Sequence, residues 1–313
     1  MLNKICFMLK NNKDLSNYLS QLGYIEFNIN MYDYTTFKTG GPADLLFIPS
    51  KSDNIELAVN ALKSADIPLT IIGGGSNLLV GDKGVRGAVI VIAERDFCEL
   101  KITFDDMFVY ADAAVPKEKF IDIAIENGMT GVEFMAGIPG MIGGGIIMNA
   151  GTFMGSFADI LRKIHYINND GKLCVLDVDL SMTSYRTLKI SDICAVIGAQ
   201  FELKPSKNIE ECQKTIKEIL ADRASKHPLE YPSAGSVFKN PKGHSSWQLI
   251  DNAGLKGVEC GGAAVSTKHT NFIINKNNAT SLDILSMIQK VQDEVYNKFK
   301  ISLETEVRMI GEF

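Results

Sequence analysis

Glycine is concentrated at two places where the backbone could hold an anion. Gly73-Gly74-Gly75-Ser76-Asn77 follows the apolar run Ile67–Ile72, and six glycines fall within residues 137–151, beside Pro139 and Asn149. With few side chains in the way, backbone N–H groups can reach phosphate oxygens directly, and such a nest needs no lysine. The other reading is a pair of tight turns at crowded sheet corners, and spacing alone leaves both open. Neither run is a familiar nucleotide loop. Leu78 stands where a dinucleotide fingerprint has its third glycine, and GxxxxGK(S/T) is absent. The six cysteines, Cys6, Cys98, Cys174, Cys194, Cys212 and Cys260, show no CxxC spacing and no histidine companions. They read as reduced, mostly buried thiols, and no metal site is expected.

Three segments must position these loops. In the first, Asp53–Ala65 carries Ile55, Ala58, Val59 and Leu62 at helical spacing and leads into a strand over Ile67–Ile72 and the glycine turn. The second, about 80–204, is strand-rich over Val85–Ile92, Met107–Ala111, Lys163–Ile167, Leu173–Val178 and Ile193–Leu203, with a helix at Lys117–Glu126. The third opens on the polar linker Lys204–Asn208. Its first helix carries Ile209, Cys212, Ile216, Ile219 and Leu220 on one face, a strand is expected over Asn271–Asn275, and its last helix opens with the capping pattern Thr280-Ser-Leu-Asp283. The class is α+β with at least one mixed sheet.

Composition narrows the function. The chain has 313 residues, 46% hydrophobic and 22% charged, which suits a folded chain of roughly two domains. Lys+Arg 32 against Asp+Glu 37 gives a net charge of −5 with no basic stripe, so nucleic acid is not an expected partner. No run approaches the ~20 apolar residues of a membrane span, and the N-terminal residues lack a secretory signal. A cytoplasmic protein acting on something soluble is expected.

The ordered strings carry more than any one of them. Thr39-Gly-Gly-Pro-Ala43, Gly73–Val80, Gly137–Gly145 and Met148–Gly151 resemble the FAD-binding region of the UDP-N-acetylenolpyruvoylglucosamine reductase (MurB) family. Tyr185-Arg186, Pro232–Pro241, Leu249–Gly257, Val265–His269 and Leu303–Arg308 resemble its remaining motifs, in order, so the likeness runs from about Thr36 to Gly311. The resemblance implies a two-part FAD-binding region of the vanillyl-alcohol-oxidase (PCMH-like) type plus a C-terminal α+β substrate domain. It divides the chain into 1–79 joined by a C-terminal strand 303–313, then 80–204, then 205–302. It implies NADPH-dependent, FAD-mediated reduction of UDP-N-acetylglucosamine enolpyruvate to UDP-N-acetylmuramate, a step of peptidoglycan precursor synthesis, by a cytoplasmic monomer.

By the same resemblance, FAD is held noncovalently by Thr39, Gly73, Gly74, Gly75, Ser76, Asn77, Leu78, Gly137, Ile138, Gly140, Gly143, Gly144, Asn149 and Ala150. No His or Cys lies in the 71–79 loop to attach it. Ser236 matches the proton donor. Arg186 and Glu306 match the residues around the enolate: an arginine fork suits a carboxylate becoming an enediolate, whereas Glu306 helps only if it carries or shares a proton. Glu304 would point the same way on a regular strand, so the preference for Glu306 rests on the family motif. Tyr185, Lys226 and Asn240 are the substrate candidates, with Lys226 placed just after a helix over 209–220. His227 and His269 read as structural.

Three positions depart from the family. Met141 stands where Ser or Thr is usual, Gly145 where Ala is usual, and Leu188 where Ser is usual. If the missing hydroxyl at 141 touches the flavin phosphates, one hydrogen bond worth ~1 kcal/mol is lost. Only 40 residues separate Arg186 from Lys226, as in the shorter branch that lacks a substrate-covering loop. The alternative activity is another FAD-dependent oxidase or dehydrogenase of the same superfamily, acting on a small alcohol or hydroxy acid. A non-enzymatic nucleotide-binding protein would be colourless.

Overall fold

The computed structural model describes residues 12–313; Cys6 and the N-terminal leader reading lie outside the described residues. The chain divides into two compact units. One holds the residues up to Phe27, Leu45–Gly74 and Gly87–Ala221, and the other holds Asn28–Asp44, Gly75–Arg86 and Asp222–Phe313. Segment 1–79 is therefore shared between them, 80–204 falls in the first from Gly87 onward, and 205–302 falls in the second from Asp222 onward.

In the first unit the helix Asp53–Ser64 buries Ile55, Ala58, Val59 and Leu62, the stripe its spacing predicts. It feeds the strand Leu69–Ile72, which pairs in parallel with Val85–Val91 at the end of a four-stranded sheet. The neighbouring strand Pro42–Pro49 is buried along nearly its whole length. A second sheet is antiparallel throughout, in the order Leu173–Asp177, Leu161–Ile167, Ala195–Glu202, Phe108–Asp112, Ile102–Asp105. The helix Lys117–Glu126 buries Phe120, Ile121, Ala124 and Ile125. Phe120 meets Phe201 at 5.1 Å, Phe201 meets Phe157 at 6.0 Å, and Phe157 meets Phe134 at 5.9 Å, a continuous row of rings inside this core.

The glycine run 137–151 contains a short helix, Ile142–Ile147, which its residue types argue against. Packing explains it. A Cβ at Gly143 would lie 2.9 Å from that of Ala113, and one at Gly145 would lie 2.4 Å from Phe157 Cζ. These two glycines let the helix sit close on the core, whereas Gly144 faces open space. The departure at Gly145 thus goes with the fully buried ring of Phe157. We expect Gly145→Ala to overpack this site by about 1–3 kcal/mol and to lower the melting temperature by several degrees, with Phe157→Leu in the same chain recovering most of it. An unchanged melting temperature in the single variant would contradict this packing role.

In the second unit the three-stranded antiparallel sheet Glu259–Cys260, Ala263–Val265, Ile273–Asn275 packs on the helix Ser281–Phe299. That helix starts with the expected capping box: Asp283 N donates to Thr280 Oγ1 at 3.0 Å, and Thr280 N donates to Asp283 Oδ2 at 3.0 Å. Ile284, Met287, Ile288, Val291 and Val295 line its buried face. Residues 303–307 form no regular strand. The C-terminal strand is Arg308–Ile310, parallel to Leu78–Val80. The helix expected to stop near 220 continues as Ile209–Lys226, and none of its residues is buried. Its apolar stripe, Cys212, Ile216 and Ile219 packed partly buried on the core, ends before the polar last turn, which periodicity therefore could not mark.

Candidate active site

In the first unit, two predicted glycine loops touch. A Cβ at Gly74 would lie 3.0 Å from Met141 Cε and 3.6 Å from Gly140 Cα. Gly137 and Gly140 adopt φ of 69° and 100°, which side chains rarely tolerate. The turn at Gly137-Ile138-Pro139-Gly140 is pinned from below. Ile138 N donates to Met135 O at 2.9 Å, Lys117 N to Gly140 O at 3.1 Å, and the Lys117 ammonium to Pro139 O at 2.7 Å. Lys117 is only 4% exposed, a buried cation that spacing did not reveal. Its one sequence signal is its place directly after Pro116 at a helix start.

The rest of this loop braces the Arg186 hairpin. Asn149 Nδ2 donates to Ser184 O at 3.0 Å and its Oδ1 accepts from Ala158 N at 3.0 Å, so its amide holds protein at both ends. Ala150 N donates to Gly145 O at 2.8 Å. Strands Thr183–Ser184 and Thr187–Leu188 pair directly, leaving Tyr185 and Arg186 as a two-residue turn. Arg186 sits at φ 57°, in the left-handed region, at a cost of roughly 1–2 kcal/mol for a residue with a side chain. Its Nη1 donates to Gly151 O at 2.9 Å, and its guanidinium lies 5.3 Å from the ring centre of Tyr185, which is 55% exposed. The turn and the bond to Gly151 together fix where the arginine sits. Leu188 is buried, which accounts for an apolar residue there.

In the second unit, backbone pairing joins the segment after Ser236 to the segment that carries Glu306. Glu306 N donates to Val237 O at 2.7 Å, Lys239 N donates to Glu304 O at 2.9 Å, and Phe238 bridges Thr305. Val237, the residue after Ser236, is thereby bonded to Glu306, which lies 70 residues beyond Ser236 in the chain. Asn271 locks the pairing from the other side, accepting from Phe238 N at 3.0 Å and donating to Phe238 O at 2.8 Å. Glu304 is drawn outward into an ion pair with Lys239, its side chain 73% exposed, while Glu306 is partly buried. The structure thereby separates the two glutamates that a regular strand would have left equivalent.

The same unit holds the remaining candidates. Gly75, at φ 69°, approaches Tyr34 O so closely that a Cβ would fall 1.9 Å from it. Asn77 Nδ2 donates to Glu306 O at 3.0 Å and Asn77 O accepts from Arg308 N at 3.0 Å, tying the loop Gly75–Leu78 to the glutamate segment. Ser76 lies between them, partly exposed. Thr39 is 4% exposed, with its backbone N and O both bonded to Thr35 Oγ1 but its own hydroxyl buried without a partner. An orphaned hydroxyl costs about 1–3 kcal/mol, and a bound polar ligand would remove that cost. Within this unit, the unspent Thr39 hydroxyl suits a polar ligand such as a flavin nucleotide.

Asn240 Oδ1 accepts from Ser246 N at 2.9 Å, capping the helix Ser246–Asn252. Lys226 ends its helix in an exposed pair with Asp222 at 2.6 Å. His227 and His269 meet edge-on at 5.5 Å, both against Phe272. Burial pushes both below the ordinary histidine range, His227 to about 4 with Arg223 adding to the effect, so both are neutral packing groups near pH 7. No cluster suited to a metal ion exists among the described residues.

Residues 43–177 match the family model for an FAD binding domain, and residues 227–310 match that for the C-terminal domain of UDP-N-acetylenolpyruvoylglucosamine reductase. The chain is 40% identical over 304 residues to the UDP-N-acetylenolpyruvoylglucosamine reductase of Clostridium tetani, covering 95% of this chain and 96% of that protein. It is 40% identical over 283 residues to that of Alkaliphilus oremlandii, covering 90% and 92%. The crystal structure of the reductase from Thermus caldophilus superposes with a TM-score of 0.76 at 30% identity, over 92% of this chain and all of that one.

Proposed function

We infer the work of individual residues from one premise: this chain belongs to the UDP-N-acetylenolpyruvoylglucosamine reductase family. The protein is a flavin-dependent oxidoreductase, an FAD-binding region joined to the family's C-terminal domain in a mixed α and β fold. Its activity is NADPH-dependent reduction of UDP-N-acetylglucosamine enolpyruvate to UDP-N-acetylmuramate, carried out in the cytoplasm by a monomer. Segments 1–79 with 303–313 and 80–204 serve FAD in this reading, and 205–302 serves the substrate.

FAD, when bound, supplies hydride from NADPH to the terminal carbon of the enol ether. The protein must manage the negative charge left on the carbon beside the substrate carboxylate. Arg186 pairs its fork with that carboxylate as it takes on enediolate character. Ser236 delivers a proton to the carbon; a hydroxyl is a weak acid in water but an adequate one against a carbanion-like centre. Glu306 supports the enolate only with a proton on its carboxyl, because an ionised group would repel it. Thr39 and Gly73–Leu78, with Gly137, Ile138, Gly140, Gly143, Gly144, Asn149 and Ala150, hold the flavin nucleotide. Asn149 does so through the backbone it braces. Tyr185, Asn240 through its amide nitrogen, and Lys226 meet the nucleotide-sugar.

The observation supporting the proton-transfer roles is the pairing of 237–239 with 304–307, which joins the backbone next to Ser236 to that of Glu306. The reading is tested on the purified protein under anaerobic conditions. NADPH should bleach its yellow colour, and the enolpyruvyl nucleotide-sugar should restore it. Recolouring by a small hydroxy acid's keto product instead would favour the alternative oxidoreductase. Glu306→Gln, which still offers a proton, should retain at least tenfold more turnover than Glu306→Ala; equal losses would count against a protonated Glu306.

A further inference from the structure

His269 and Asn271 lie in the turn between the strands Ala263–Val265 and Ile273–Asn275. Asn271 is buried, and each of its polar groups is bonded. Its carbonyl accepts from Val237 N at 2.8 Å, its Oδ1 accepts from Phe238 N at 3.0 Å, and its Nδ2 donates to Phe238 O at 2.8 Å. Its backbone N donates to His269 Nδ1 at 3.3 Å. One asparagine thus clamps the two residues that follow Ser236, and one imidazole braces the asparagine. On the other side of Ser236, Gly235 adopts φ 74° with open space where a Cβ would be, and the next pairing is that of Ser233 with Ile274. The position of Ser236 is therefore set from the Val237–Phe238 side.

We propose that His269, as a neutral imidazole, is a positioning residue for the Ser236 hydroxyl, acting through Asn271. The inference rests on the reading of Ser236 as the proton donor. Its ring is fixed by contacts with Phe272 at 5.0 Å, His227 at 5.5 Å and Trp247 at 6.4 Å. Nδ1 can accept from Asn271 only while the proton is on the other ring nitrogen, because an imidazolium has two donors and no acceptor. Burial lowers His269 by more than a bond to its own carbonyl raises it, so the accepting form prevails near pH 7. The charges about the histidine pair are Asp222, Arg223 and Lys226 beside His227, and Lys268, which pairs with Glu230 at 3.2 Å. Protonation of His269 would set N–H against N–H and loosen the clamp. Proton transfer is therefore at full rate while the imidazole is neutral, and falls as pH drops through a pKa below the ordinary histidine range. Precision matters here, since a misplacement of about 1 Å can cost about 10²-fold in rate.

The test is anaerobic single-turnover mixing of the flavin-loaded protein, first with NADPH and then with the enolpyruvyl nucleotide-sugar, as far toward acid as each protein stays folded. His269→Phe keeps a ring but removes the acceptor. It should slow flavin reoxidation by substrate at least about tenfold and leave reduction by NADPH within about twofold. His269→Asn places a non-titrating oxygen where it can accept from the backbone two residues on. It should recover most of that loss and lack the part of the acid-side fall that His269 causes, whereas His227→Gln should keep that fall. Reoxidation by the phenylalanine variant within twofold of the parent would overturn the proposal. So would equal slowing of both half-reactions, the signature of a packing role alone, or identical acid-side profiles in the parent and the asparagine variant. If the phenylalanine variant does not fold, His269→Leu decides the matter. Ser236→Ala is measured alongside. Unchanged reoxidation in that variant would defeat the reading of Ser236 itself, while slowed reoxidation there with none in His269→Phe would defeat only the role of His269.

Discussion

Replacing Ser236 with alanine leaves NADPH able to bleach the bound flavin but slows the return of colour on adding substrate by about 10²–10⁴-fold, the usual span for general acid catalysis. The asymmetry follows from what the hydroxyl does. The first half-reaction needs no proton on a substrate carbon, whereas the second leaves a carbanion-like centre that must be quenched. That span is roughly 3–5 kcal/mol of barrier. The residues that follow Ser236, Val237 to Lys239, are bonded on both sides, to Asn271 and to the 304–307 segment, so the loss of one oxygen should leave the fold and the substrate affinity nearly unchanged. Single-turnover mixing of each half-reaction separates these effects. Equal slowing of both would remove Ser236 from the proton transfer.

Arg186→Ala should lower the rate of the same second half-reaction by about 10²–10³-fold, the range for removing one donor from a developing oxyanion. Unlike Ser236, it should also raise KM, because the guanidinium meets the substrate carboxylate before any charge develops. Arg186→Lys should recover only part of the loss, since an ammonium cannot pair with both oxygens. Position 186 has a second constraint, its φ of 57° in a two-residue turn. Arg186→Gly would relieve that strain, so a stability gain with a catalytic loss in the glycine variant would show strain held for function. An alanine variant with an unchanged second half-reaction would contradict the role.

Much of the frame was legible because local rules and burial agreed. The stripe in Asp53–Ser64 and the Thr280–Asp283 cap are short-range signals, and the structure follows both. Pro42–Pro49 escaped because a strand buried along its length shows no alternation of polar and apolar residues. The helix Ile142–Ile147 escaped for the opposite reason: glycine propensity opposes it, and only contact with Ala113 and Phe157 favours it. Lys226 was placed beyond its helix because the apolar stripe Cys212, Ile216 and Ile219 stops near Leu220, and the polar last turn carries no such signal.

The site shows the same division. Motif order singled out Ser236, Arg186 and Glu306 as candidates, but the non-local pairing of 237–239 with 304–307 has no local signature. The choice of Glu306 over Glu304 rested on the family motif, because a regular strand would have pointed both the same way; no such strand forms, and an ion pair to Lys239 draws Glu304 outward. Lys117 was invisible because a lysine near a helix start is ordinarily solvated, and burial is a property of the folded chain.

The decisive measurement is a crystal structure of the protein with FAD and the enolpyruvyl nucleotide-sugar bound, read for the distance from Ser236 Oγ to the carbon beside the substrate carboxylate. Ser236 should lie across the substrate from the flavin ring, at about the 2.6–3.2 Å of hydrogen-bond reach or one water away. A hydroxyl on the flavin side, or one too remote for a single water to bridge, would contradict the assignment of the proton to Ser236.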